Sequence, residues 1–209
     1  IMKKAMVERM RKVYRVNWFP EDGDAFPIRV FLHKDEVTVS LDTTGESLHK
    51  RGYRKLTAKA PIAENLAAAL IMLTPWNKTR ILVDPFCGSG TIPIEAAMMA
   101  ANMAPGMNRS FLAESWTHII SRKEWYACMD EAAELVDFSQ MPDIQGYDID
   151  DEMVRIAREN AKLAGVEQYI HFQRRGIEAL SHPKKYGFII TGRALQTAGF
   201  LVALYDHFL

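Results

Sequence analysis

The sequence predicts an α/β protein, a doubly wound parallel sheet with helices on both faces, preceded by part of a smaller α+β unit. Three observations predict it. From Pro61 onward, short apolar strands alternate with helices, the signature of βαβ units. Two of those strands, "RILVDPF" and "DIQGYDID", carry acids at their ends. Before Pro61 the chain shows only an amphipathic helix and a hairpin pattern.

In chain order, Met2, Met6, Met10 and Val13 recur at helical spacing between Lys and Arg, so residues 1–14 read as an amphipathic helix. The chain opens inside that helix, and its true N-terminus is expected upstream. "NWFPEDGDAF" is turn-rich. Ile28, Val30 and Leu32 alternate, and Val37, Val39 and Leu41 repeat the pattern after "HKDE", which predicts a β-hairpin with a short polar loop. Residues 1–45 are therefore a fragment of an α+β unit. Residues 46–60 hold His49, Lys50, Arg51, Arg54, Lys55 and Lys59 with no acid between Glu46 and Glu64, and read as a basic linker. Residues 61–209 form the α/β domain. "APIAENLAAALIML" is a helix, with Pro61 suited to its first turn. "TIPIEAAMMAANM" is another, and Pro93 is tolerable there only in the first turn. Residues 105–121 are irregular and "RKEWYACMDEAAELV" is helical. "DEMVRIARENAKLAG" is a helix capped by Gly165, and "QYIHFQ" and "YGFIIT" are strands.

Bulk composition excludes little. Twenty-six basic and 26 acidic residues balance, so any nucleic-acid binding must come from local charge. Cys87 and Cys128 lack metal-type spacing, which favours a reduced, cytoplasmic protein without a metal site. No apolar run is long enough to span a membrane.

The chemistry concentrates in "DPFCGSG", residues 84–90, between a strand and a helix, where open α/β sheets bind ligands. Gly88 and Gly90 permit positive φ and close backbone approach. A tight turn with no ligand would use the same two glycines. The turn lacks the Lys of a P-loop, and Pro93 stands where a dinucleotide fold needs its third glycine. Asp84 would repel a pyrophosphate. It suits a ligand with an ammonium group, and S-adenosylmethionine has an ammonium, a sulfonium and no phosphate. In "GYDID", Asp148 is expected to accept from ribose hydroxyls and Asp150 to cap the following helix, although capping alone would explain either acid. Cys87 has no His partner and reads as a small packing residue.

These stretches, with "LDTTGESLHKRGYR", "AENLAAALI", "APGMNRSF" and "GYDIDDEMVRIARENAKLAGV", resemble in order the THUMP-domain RNA methyltransferases. The nearest branch is the bacterial one labelled N6-adenine-specific methylase, related to the 23S rRNA guanine-N2 methyltransferases. The resemblance runs to about Thr191. It implies a Rossmann-like domain that binds S-adenosylmethionine, with Asp84, Phe86, Gly88, Gly90 and Asp148 at cofactor positions. Cys87, Thr91 and Ile149 adjoin them and are counted with them. It also implies an RNA substrate, rRNA before tRNA, delivered partly by a THUMP-type N-terminal region. Lys50, Arg51 and Arg54 could meet RNA phosphates and Tyr53 could stack on a base. The nearest acid after "QRRG" is Glu178, so the backbone near Gly176 is the other candidate for holding adenine.

Such proteins carry Asn-Pro-Pro-Tyr after the strand that here reads "YGFIIT", whereas this sequence runs from Thr191 to Gly192-Arg193-Ala194. A loop is expected to be missing at that junction, because only 18 residues follow Thr191. No catalytic residue is therefore named. Transfer to an exocyclic base nitrogen in RNA, guanine-N2 of large-subunit rRNA foremost, leads the readings. DNA adenine-N6 methylation, a non-catalytic RNA-binding protein with a degenerate fold, and a nicotinamide-dependent oxidoreductase follow it.

Overall fold

The structure, a computed structural model, describes residues 2–54, 61–181, 183, 186–192 and 202–205. The chain divides into two compact units, Ile1–Thr43 and Thr44–Leu209.

The first unit holds helix α1 (Met2–Tyr14) and the antiparallel strands β1 (Ile28–His33) and β2 (Glu36–Leu41). Lys34 and Asp35 form the turn with φ of 47° and 63°. Two central residues with positive φ match the right-handed twist of a two-residue hairpin. The register sets Ile28, Val30 and Leu32 opposite Leu41, Val39 and Val37, so the alternation read in the sequence becomes one apolar face. At the open end Arg29 pairs with Asp42 at 2.6 Å.

The second unit contains α2 (Glu64–Met72), β3 (Leu82–Asp84), α3 (Thr91–Ala100), α4 (Arg122–Glu134), β4 (Ile144–Asp148), α5 (Asp151–Ala164), β5 (Ile170–Arg174), β6 (Gly187–Ile190) and β7 (Val202–Tyr205). Its sheet runs β5-β4-β3-β6-β7. The first four strands are parallel, and β7 is antiparallel to β6. The expected break at Thr191–Gly192 sits at the edge of residues 193–201, which lie outside the described residues.

α2, α3 and α5 bury Ala67, Ile71, Ile92, Ile94, Val154 and Ala157 against Leu82, Ile144, Phe172 and Ile190 on one sheet face. The opposite face gathers Ile81, Val83 and Tyr147 with Leu180 and Ile189. Among the described residues, then, helices cover one face, where the sequence pattern predicts both. Pro61 also differs from expectation. Ala63 is the N-cap of α2, so Pro61 precedes the helix. Pro93 lies in the first turn of α3, where its missing N–H costs nothing. Asp150 caps α5 by accepting from the Glu152 N–H at 2.9 Å, and Gly165 ends it at φ 77°.

Candidate cofactor site at the ends of β3 and β4

β3 and β4 are neighbours, with Asp84 in register with Gly146, so their carboxyl ends open on the same side. The turn after β3 is fixed by its own backbone. Cys87 donates to Tyr147 O at 2.8 Å, and Gly90 donates back to Cys87 O at 2.8 Å. Asn160 of α5 donates to Ser89 O at 3.1 Å. The two glycines differ in what they do. Gly90, at φ 83°, is the N-cap of α3, and a Cβ there would come within 2.9 Å of the Ala157 Cβ and 3.1 Å of the Phe172 ring. It lets α3 approach α5 and β5. Gly88, at φ 52°, has nothing within 4 Å of a Cβ position, so the turn is open to a ligand there.

Asp84 is buried, and its Oδ1 accepts from the Phe86 N–H at 3.1 Å. Burial pushes its pKa up to about 7. The Thr191 hydroxyl and the Phe86 amide pull it down, while Asp148 pushes it up. Thr191 lies close enough to be felt, yet its buried hydroxyl closes no hydrogen bond of ordinary geometry. Asp84 is therefore a carboxylate poised for a cationic partner, since a positive group would repay the cost of its ionisation. Burial also raises the Cys87 thiol, so it is a neutral packing group.

Asp148 is half-buried at the end of β4. Its Oδ2 accepts from the Gly88 N–H at 3.0 Å and its Oδ1 from the Asp150 N–H at 3.0 Å. A carboxylate offers about four lone-pair sites. Two are used, which leaves acceptor capacity for a diol. Ile149 beside it is 68% exposed, an apolar surface at the mouth. The Arg174 guanidinium donates to Ile149 O at 3.0 Å, which ties the mouth to β5. Beyond β5, the Glu178 carboxylate folds onto Gly176, where a Cβ would collide with it. The two candidates for holding adenine are thus side by side.

The basic stretch is not a free linker. Tyr53 is 1% exposed and donates to Glu95 of α3 at 2.9 Å. Arg51 pairs with Glu95 at 3.7 Å, and Arg54 pairs with Glu64 of α2 at 2.9 Å, all four side chains being largely buried. Gly52, at φ 93°, lies against the Asn108 carbonyl, where any Cβ would collide. Among the four expected RNA contacts only Lys50 is exposed, and it pairs with Glu46 at 3.1 Å. Tyr53 is therefore corrected from base platform to core residue, and Arg51 and Arg54 from phosphate contacts to partners of buried acids.

A family model described as UPF0020, RMKL-like, methyltransferase domain, matches residues 51–209. The chain belongs to that family. The Bacillus subtilis protein YpsC, named as a candidate RNA methyltransferase, is 42% identical over 91% of this chain and 50% of its own length. Ribosomal RNA large subunit methyltransferase K/L of Shewanella woodyi is 40% identical over 98% of this chain and 30% of its own length. The chain thus spans half or less of these relatives. Among solved structures, SMU.472, named as a candidate methyltransferase complexed with SAH, gives a TM-score of 0.84 at 40% identity, covering 92% of this chain and 51% of its own. A Listeria monocytogenes protein, named by prediction an N6-adenine-specific DNA methylase, gives 0.86 at 41% identity, covering 93% and 52%.

Asp84, Phe86, Cys87, Gly88, Gly90, Thr91, Asp148 and Ile149 lie at the neighbouring ends of β3 and β4 and the start of α3, with Thr91 buried as the first residue of α3. Sequence reasoning missed Thr191 as a neighbour of Asp84 and missed Glu64 and Glu95. The two acids had a signal, because each stands in an otherwise apolar helix sequence and a buried acid there needs a cation. Among the described residues no helix is long and apolar enough to cross a membrane, and no cluster of His, Cys, Asp or Glu could hold a metal ion.

Proposed function

We propose that this chain is the catalytic part of an S-adenosylmethionine-dependent methyltransferase that modifies an exocyclic amino group of a base in RNA, guanine-N2 of large-subunit rRNA. The observation that carries the reading is the pair of acids on adjacent strand ends around Gly88. Asp84 is buried, ready for an ammonium group, and Asp148 keeps two acceptor positions for ribose hydroxyls. The donor set fits S-adenosylmethionine and disfavours a pyrophosphate, which two carboxylates would repel. When bound, that cofactor supplies an electrophilic methyl group. The protein's part is to fix its amino-acid end at Asp84, its ribose at Asp148 and its adenine between Ile149 and the Gly176–Glu178 turn. Positioning of this kind is worth several kcal/mol, up to about 7–11 in good cases. A base within a duplex must first be extruded to reach the site.

The names of the relatives support RNA over DNA and rRNA over tRNA. One neighbour's name supports adenine-N6 of DNA as the second reading. Residues 1–45 belong to the same proposal as part of a THUMP-type RNA-binding domain, and the setting is cytoplasmic with both thiols reduced. Incubation of the full chain with labelled S-adenosylmethionine and unmodified rRNA, tRNA and DNA, followed by nucleoside analysis, tests the reading. N2-methylguanosine in large-subunit rRNA is the expected product. Label in DNA alone would replace this reading with the second one.

A further inference from the structure

A cavity of about 900 Å³ is lined by residues drawn from three stretches, within 44–54, 61–64 and 108–115. Its charged lining is Glu46, His49, Lys50, Arg54, Glu64 and Arg109. Two of the cations are matched, Lys50 by Glu46 and Arg54 by Glu64. Arg109 has only neutral partners among the described residues. Its Nη1 donates to Ser47 O at 2.8 Å and Lys50 O at 3.0 Å, its Nη2 to Glu46 O at 2.6 Å and Thr44 O at 3.4 Å, and its Nε to Ser110 O at 3.3 Å. All five of its N–H donors are thus engaged. The guanidinium leaves the cavity with a surplus positive charge and folds the 44–50 loop around itself, but it has no donor left for a ligand. Lysine has three donors and cannot reproduce that planar fork.

One wall of the cavity is tied by packing to the acid end of β3. Between its lining residues Pro61 and Ala63 stands Ile62, which packs against Gly192, 3.2 Å from a Cβ position there. Gly192 follows Thr191, the neighbour of Asp84. The exposed wall of Glu46, Lys50, Ser110 and Ser115 leaves the outer side open to solvent. The volume falls within the ~300–1,000 Å³ range of ligand pockets and is far larger than a lone anion needs.

We propose that this cavity receives the phosphodiester backbone of the RNA next to the target nucleotide, with Lys50 and His49 meeting phosphate oxygens and Arg109 positioning the loop that carries them. The proposal rests on the RNA-methyltransferase reading. Lys50 exchanges Glu46 for phosphate when the strand enters, and the Arg109 charge favours the anion without touching it.

The test uses the full chain and an unmodified large-subunit rRNA transcript. In His49→Ala/Lys50→Ala, RNA affinity should fall roughly tenfold, about threefold for each lost phosphate contact, and the salt slope should drop by about one for the lost Lys50 charge. S-adenosylhomocysteine affinity should not change. In Arg109→Lys, which keeps the charge, the KM for RNA should rise while kcat at saturating RNA is retained. An unchanged RNA affinity and salt slope in the double variant would overturn the proposal, as would an Arg109→Lys variant that lowers Tm alone and leaves KM where it was. Normal methyl transfer with unaffected variants sinks this proposal and leaves the function standing. No transfer to RNA, with a salt slope that still drops in the double variant, does the reverse. A wild-type chain that binds no RNA overturns both.

Discussion

The Gly88 amide donates to Asp148 at 3.0 Å, across 60 residues of sequence. One hydrogen bond fastens the turn after β3 to the end of β4, so the two strands present their acids as a unit. Removing the carboxylate leaves a turn amide without its partner and, on the proposed function, a ribose without its acceptor. Asp148→Ala should lose about 1–3 kcal/mol of stability. Its affinity for S-adenosylmethionine should fall about 10- to 100-fold, read by calorimetric titration. An unaltered affinity would mean that the ribose lies elsewhere.

The glycines of the turn should respond differently to alanine. Both stand at positive φ, which costs a non-glycine residue about 1–2 kcal/mol. Gly90→Ala adds overlap with Ala157 and Phe172 and should destabilise by roughly 2–4 kcal/mol in urea unfolding. Gly88→Ala has open space and should cost only the backbone term. Its methyl group projects where the ligand would lie, so its main effect should be on cofactor binding.

Asp84 links stability and binding to pH in opposite directions. Its folded pKa of about 7 lies above the ordinary value of 3.8, so between these pH values the folded state holds more protons than the unfolded state. Stability without ligand therefore falls as pH rises through that window, by about 4 kcal/mol at most. Asp84→Asn should flatten this dependence and raise Tm at pH 8. Cofactor affinity should behave conversely. It should weaken as pH falls below about 7, approaching a tenfold loss per unit, because the ammonium group needs the ionised form. Thermal melts and titrations from pH 5.5 to 8.5 read both trends.

Tyr53→Phe distinguishes a core residue from an RNA contact. The substitution removes the hydroxyl that donates to Glu95, whose pKa is already raised, chiefly by burial, and leaves the carboxylate with the more distant Arg51. A stability loss of about 1.5–3 kcal/mol with unchanged RNA affinity is expected. A stable variant with weakened RNA binding would return Tyr53 to the surface.

What the sequence reveals follows from how local each interaction is. The glycine turn, the acids ending two strands and the Asp150 cap are short-range patterns, and each is readable in a few consecutive residues. The 46–54 stretch is different. Arg54 is matched by Glu64 on the next helix and Arg51 by Glu95 on α3, 44 residues away, and Gly52 is shaped by the Asn108 carbonyl. Nothing local distinguishes such a segment from a solvated linker. Arg109 is equally silent, because its partners are backbone carbonyls that carry no residue identity. Strand–helix alternation implied parallel pairing, which β3, β4, β5 and β6 follow, but β7 runs antiparallel to β6.

The proposed function stands or falls with Asp84 and Asp148 as the residues that hold S-adenosylmethionine. Calorimetric titration of the full chain at pH 8 with S-adenosylmethionine, ATP and NADH, repeated on Asp84→Asn, tests it most directly. Binding of S-adenosylmethionine alone by the wild type, and its loss in a variant that melts no lower, is the expected result. Equal affinity in Asp84→Asn, or preference for a pyrophosphate-bearing nucleotide, would contradict it.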